Sequence, residues 1–228
     1  MSNYGTRAGG TDDRIGAMTG SVFRSSRLGG VAFALGIALL WVGYFLPWVP
    51  HRAAALTMGA YDLGDWVTLL PQVQAGSLPV GRLHFLALLA LAAALTAGRA
   101  SAGRARRWLL LPAGLGALML LPGYPAIMWY RTDATVQAQL GLLAATLLAA
   151  GSFWRWPQWR WMGLLQGVAA AVLGVRALRA LLLLRPVVGE LYGALPPIGP
   201  GWYATLAACL LIFVGCVPGP MLQLLDRN

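Results

Sequence analysis

The chain has 228 residues, 58% of them hydrophobic and 11% charged, with a net charge of +10 and a mean hydropathy of +0.66. A water-soluble domain carries roughly 25% charged residues, so too little polar surface remains here to cover a soluble globule. The apolar residues fall into blocks long enough to cross a bilayer at about 20 residues per helix, and they leave no room for a sizeable soluble domain. The expected fold class is all-α: a polytopic transmembrane helical bundle of about six spans with one short interfacial amphipathic helix.

Taken in chain order, residues 1–28 are polar and rich in Gly, Ser, Thr and Arg, which predicts a flexible cytoplasmic arm. They do not read as a cleavable signal peptide, because the apolar block behind them is too long and no small-residue cleavage site follows. Residues 29–228 form the transmembrane domain. Span 1 covers 29–49 and ends in Trp41, Tyr44, Phe45 and Trp48, aromatics that favour a membrane–water interface; Pro47 and Pro50 stop it. The long loop that follows contains a helical segment at about 59–73. Leu63, Trp66, Val67 and Leu70 share one face there and Asp62 and Asp65 the other, the pattern of a helix lying at the interface.

Span 2 covers 83–98, followed by the densest basic loop, with Arg99, Arg104, Arg106 and Arg107. Span 3 covers 108–130 and contains Pro112, Pro122 and Pro125, which predict kinks. Span 4 covers 136–153. A connection of alternating Trp and Arg leads to span 5, at 161–184. A proline-rich loop, 185–201, leads to span 6, at 202–225.

All 17 basic residues are arginine. The absence of lysine, with the Ala, Leu and Gly richness, points to a GC-rich bacterial genome. The basic excess also suits nucleic acid, but these arginines sit in short loops beside apolar blocks, where they set topology; no nucleic-acid partner is expected. With the N-terminus inside, Arg7, Arg14, Arg24, Arg27, Arg99, Arg104, Arg106, Arg107, Arg155, Arg160 and Arg227 are internal, and Arg52, Arg82, Arg131 and Arg185 external. That bias predicts a multi-pass protein of the bacterial cytoplasmic (inner) membrane with both termini cytoplasmic.

Arg176 and Arg179 fall inside span 5, three residues apart and so on one helix face. A charge in a membrane costs several kcal/mol unless paired or hydrated. These two either reach outer headgroups and lipid phosphate or pair with Glu190, Asp62, Asp65 or a partner subunit. His84, at the outer end of span 2, is the one candidate cofactor ligand, for haem or a chlorin; hydrogen bonding at the interface is the plainer role. The segment Tyr61, Asp62, Leu63, Gly64, Asp65 and Trp66 is a candidate partner contact, or else an amphipathic helix packed on the bundle. Cys209 and Cys216 lie seven apart, about 10 Å along a helix, too far for a disulfide. They read as packing residues, and no metal site is expected.

No acidic residue falls within an expected span, and there is no HExxH, P-loop, Ser/His/Asp set or glycine-rich dinucleotide turn. No catalytic residue, and no cofactor of the chain's own, is expected. The stretches Phe45-Leu46-Pro47-Trp48 and Tyr61 to Pro71 resemble polytopic membrane proteins of filamentous anoxygenic phototrophs (Chloroflexota). The resemblance implies an accessory membrane subunit of alternative complex III, a quinol-oxidising electron-transfer complex. The expected function is a non-catalytic membrane subunit that stabilises a larger respiratory or photosynthetic assembly, with other membrane subunits and lipids as partners. The alternatives are a small-molecule or lipid transporter or permease component, with Arg176 and Arg179 lining an anion path, and a haem- or pigment-binding protein using His84.

Overall fold

The computed structural model describes residues 12–51, 57–100, 106–155 and 160–216, with the side chains of 12–27, 107 and 160 outside that description. Among the described residues the chain is all-helical, with no strand beyond an isolated bridge between Val49 and Met58. Four helices are long and apolar enough to cross a membrane: α1 (Asp12–Phe45, through its segment Leu28–Phe45), α4 (Arg82–Ala100), α6 (Ala134–Arg155) and α7 (Arg160–Tyr192). Two apolar helices are shorter, α5 (Arg106–Met119) and α8 (Pro200–Cys216). Between α1 and α4 lie the small helices α2 (Ala60–Trp66) and α3 (Pro71–Gln74).

Helix α4 is the axis of the bundle. It is an almost unbroken run of Leu and Ala, 72% of it buried, and α1, α5, α6 and α7 all pack on it. Trp41 of α1 donates its indole N–H to Thr96 Oγ1 (2.9 Å), and that hydroxyl donates to Ala92 O (2.6 Å). Both polar groups are therefore satisfied away from water.

Helices α1 and α8 make the most intimate pair. Gly29, Gly36 and Gly43 recur every seven residues on α1 and turn one stripe of bare backbone towards α8. A methyl at Gly36 would stand 2.7 Å from Ile212 Cγ1 and 2.9 Å from its backbone N; one at Gly43 would stand 2.8 Å from Thr205 N. On α8, Gly215 faces Phe33 N at 2.7 Å in the same sense. In an apolar solvent, where water drives nothing together, such close backbone approach supplies the packing energy.

Several expected boundaries move. Helix α1 begins at Asp12, so the part of the expected arm at 12–28 is helical; once a helix is nucleated by an adjoining span, extending it costs little. Residues 1–11 of the arm lie outside the described part. Helix α1 ends at Phe45, not at 49, and Tyr44 and Trp48 are buried instead of forming an interfacial belt. Span 3 stops as a helix at Met119, because Pro122 and Pro125 cannot continue the ladder; a turn and a short 3-10 helix, Ala126–Trp129, follow. Span 5 is longer than expected. Helix α7 runs through Pro186 to Tyr192, so the expected loop at 185–201 shrinks to 193–199. The Arg185 guanidinium ties that loop back to Pro196 O, at 3.1 and 2.8 Å. For span 6 the described helix ends at Cys216, and the remainder of the expected span lies outside the described residues. Cys209 (buried) and Cys216 (half-buried) are free thiols.

The described residues 46–51 and 57–81, together with 193–199, form a cap over one end of the bundle. Gly199 N–H donates to Trp48 O (2.8 Å), Gly201 N–H to Pro47 O (2.9 Å), and Trp48 N–H to Met58 O (2.8 Å). The opposite end carries Arg99, Arg106 and Arg155. Arg99 there donates to Gly30 O (2.8 Å) and lies over the Phe33 ring, and Arg106 lies over Trp154.

Candidate functional site

The polar chemistry of the described residues gathers at the cap end in two places. The first is a chain of hydrogen bonds that starts at α2. Gly59 precedes this helix and donates its N–H to Asp62 Oδ2 (2.9 Å), so Asp62 caps its own helix. The apolar face is buried at Leu63, Val67 and Leu70, with Trp66 and Tyr61 half-buried and Asp62 and Asp65 exposed. The pattern read from sequence is present, and the face is turned onto the bundle, mainly α4. Asp65 Oδ1 pairs with Arg82 Nη2 at 2.7 Å. Arg82 Nη1 donates to Gln139 Oε1 (3.1 Å), and Gln139 Nε2 donates to Leu120 O (2.9 Å).

This chain has a local cause. Where α5 stops, its last carbonyls lose their intrahelical donors, and Gln139 of α6 supplies one. Gln139 is buried, so its own oxygen needs a donor in turn, and Arg82 supplies it. Asp65 is exposed, and an exposed ion pair contributes about 0.2–1 kcal/mol. Removing Arg82 leaves a buried amide oxygen unpaired, which costs about 1–3 kcal/mol. Arg82→Ala is therefore expected to destabilise the chain clearly more than Asp65→Asn in a detergent-titration unfolding experiment. Equal effects from the two variants would show that Gln139 draws nothing from Arg82. The importance of Arg82 and Gln139 was not read from sequence, where Arg82 counted only as a loop arginine.

The second place is a notch of about 270 Å³ between α4 and α7, lined by Pro79, Val80, His84, Arg176, Arg179, Ala180 and Leu183. It brings together three residues singled out separately in the sequence: His84, Arg176 and Arg179. Both arginines are exposed and His84 is half-buried. No carboxylate among the described residues pairs with either arginine, and Asp65, one expected partner, is engaged by Arg82. His84 Nδ1 faces Gly81, 3.1 Å from its N and 3.2 Å from its O. This turns the Nε2 edge of the ring away from its own loop.

The depth of the notch follows from its neighbours. His84 is in the first turn of α4. The carbonyl of Leu178, between the two arginines, accepts from the indole N–H of Trp202 (3.1 Å), in the first turn of α8. Arg176 and Arg179 thus stand level with the ends of α4 and α8, although they occupy the middle of α7. Beyond them α7 continues about 20 Å, with Leu181, Leu184 and Val188 buried in the same core as Trp48 and Val80.

A wider cavity of about 700 Å³ lies under the proline-rich loop, between Pro50, His51, Tyr192 and Pro196. The His51 and Tyr192 rings meet there at 4.7 Å. Among the described residues no group of three or more His, Cys, Asp or Glu side chains is placed to hold a metal ion. No protein-family model, no curated protein and no solved structure matches this chain, so its reading rests on its own geometry: a capped helical bundle with an exposed cationic notch at the cap end.

Proposed function

We propose that the chain is a non-catalytic, multi-pass subunit that stabilises a larger assembly of the bacterial inner membrane. The observation that carries this reading is the outward face of α6. Only 17% of that helix is buried. Its exposed side carries the small residues Ala138, Gly141, Ala144, Ala145 and Gly151, and among them the large side chains of Leu147 and Leu148 project outward, 56% and 73% exposed. A side chain added at Gly141 or Gly151 would meet nothing within 4 Å. Small residues beside projecting leucines make grooves and ridges of the kind a second helix packs into at close range. The proposed occupant is a membrane helix of another subunit.

In this reading six helices cross the bilayer, with α5 completed by the segment to Tyr130, both termini are cytoplasmic, and the cap is external. The exposed rings of Tyr124, Trp129 and Tyr130 then sit at the interface, as aromatics favour. The proposed assembly is a quinol-oxidising electron-transfer complex, the class that the resemblance of Phe45–Trp48 and Tyr61–Pro71 implies, with this chain contributing packing surface.

The test is purification of the tagged full chain from its native membrane in a mild detergent. The expected result is migration with stoichiometric membrane partners, lost in Gly141→Leu/Gly151→Leu while the chain itself keeps its melting temperature. A solitary monomer, or a complex made only of copies of this chain, would overturn the proposal.

A further inference from the structure

Arg176 and Arg179 present two guanidiniums from one face of α7 into the same small notch, without a carboxylate from any described neighbour. Two like charges at i, i+3 repel each other, and Val80, Ala180 and Leu183 beside them add only apolar surface to the notch. Such a pair is relieved by an anion held between them. Guanidinium forks match the oxygens of a phosphate geometrically and bind it through charge-assisted hydrogen bonds. The Nε2 edge of His84 offers a third donor in its N–H tautomer. The volume, about 270 Å³, suits a phosphate with a short carbon skeleton and not a whole cofactor.

The geometry points to a phosphate-ester site in this notch. Arg176 and Arg179 clamp the phosphate, His84 donates to it from α4, and Val80 and Leu183 lie against the carbon part of the ligand. This goes beyond a role in assembly and does not depend on a partner subunit. The phosphate has two possible sources: the headgroup of an anionic phospholipid at the cap-end surface of the bilayer, or a water-soluble phosphate arriving at the open side. The level of the notch, with the first turns of α4 and α8, is where headgroups lie if these helices span a bilayer.

The experiment uses the full chain in nanodiscs of phosphatidylcholine with one quarter phosphatidylglycerol, and native mass spectrometry of the lipids retained after partial delipidation. In parallel, the delipidated chain is titrated with glycerol phosphate and inorganic phosphate, reading the melting temperature. The expected result is about tenfold preferential retention of phosphatidylglycerol, abolished in Arg176→Gln/Arg179→Gln and reduced in Arg176→Lys, which keeps the charge and loses the fork. Both arginines are exposed and pair with no carboxylate among the described residues, so the variants are expected to melt as the parent does. A melting shift with the soluble phosphates that disappears in the double variant, without lipid preference, assigns the same chemistry to a soluble ligand. The site is overturned if the parent chain shows neither response, or if both persist in the double variant. If the double variant fails to fold, Arg176→Lys carries the test, and unchanged retention and melting response in it overturn the site.

Discussion

Gly43→Val is expected to unseat α8 from α1 and cost about 3 kcal/mol, the upper end of the usual penalty for forcing methyl groups into a packed interior. The reason is what the new atoms would meet. A Cβ at Gly43 stands 2.8 Å from both Thr205 N and Thr205 Oγ1 and 3.1 Å from Ala204 Cβ. A side chain in the way can rotate, but a backbone nitrogen moves only with its helix. The neighbouring contacts resist that movement, because Gly36 on Ile212 and Gly215 on Phe33 are equally close. Helix α8 lies between α1 and α7, and Cys209, which faces Gly174 of α7, is buried. A shift of α8 therefore exposes this thiol. In a Cys216→Ser background, a 3 kcal/mol loss raises maleimide labelling of Cys209 by about 100-fold through the opening equilibrium. The matched control is Gly141→Val, where a Cβ meets nothing within 4 Å, and labelling is expected to stay at the parent rate. Parent-like labelling of Gly43→Val would mean that the glycine stripe does not set the distance between α1 and α8.

Which features were legible in sequence follows from the range over which each signal acts. The expected spans at 83–98 and 136–153 differ by only one or two residues at each end from α4 and α6, because uniform apolar runs bounded by polar residues need no tertiary information. The face of α2 was legible for the same local reason. Prolines were read less well. Pro186 falls in the loop expected at 185–201, yet α7 continues through it. A proline removes one N–H and bends a helix, and close packing of Leu184 and Val188 on either side holds the course. Before Pro122 and Pro125 the helix stops at Met119, and residues 123–130 that follow are exposed, with no buried neighbours on both sides to carry a helix onward. The aromatic cluster before Pro50 was read as one belt, but residue type does not reveal that Tyr44 and Trp48 turn inward while Phe45 stays exposed. Within the notch, His84, Arg176 and Arg179 each stood out by their chemistry. Their meeting depends on α4 packing against α7, a long-range contact that no local spacing encodes. The seven-residue spacing of Gly29, Gly36 and Gly43 is present in the sequence as small-residue periodicity, but its meaning depends on which helix faces it.

Trp48→Ala is the second large effect, expected to cost about 3–5 kcal/mol, as for other buried tryptophans truncated to alanine. Trp48 is 0% exposed, and its ring meets Phe85 of α4 edge-on, with centroids 5.9 Å apart. Its indole N–H donates to Gly43 O (2.9 Å), a carbonyl in the last turn of α1 that the helix itself leaves without a donor. Its backbone holds the cap together from both sides, through Met58 O and Gly199 N–H. Truncation thus opens a void, orphans a carbonyl and frees the point where two loops join. Trp48→Phe separates these effects: it keeps most of the packing and loses only the N–H donor, at about 1 kcal/mol. Hydrogen exchange reads the difference at two amides, Met58 N–H, which donates to Val49 O, and Gly199 N–H, which donates to Trp48 O. Both are expected to lose protection in Trp48→Ala and to retain it in Trp48→Phe, with α4 still protected in each. Protection of both amides in the alanine variant would show that the cap closes without the indole. The notch depends on the same element, because Pro79 and Val80 of the cap form one of its walls. Loss of the cap in Trp48→Ala therefore also removes any phosphate bound between Arg176 and Arg179, although Trp48 touches neither.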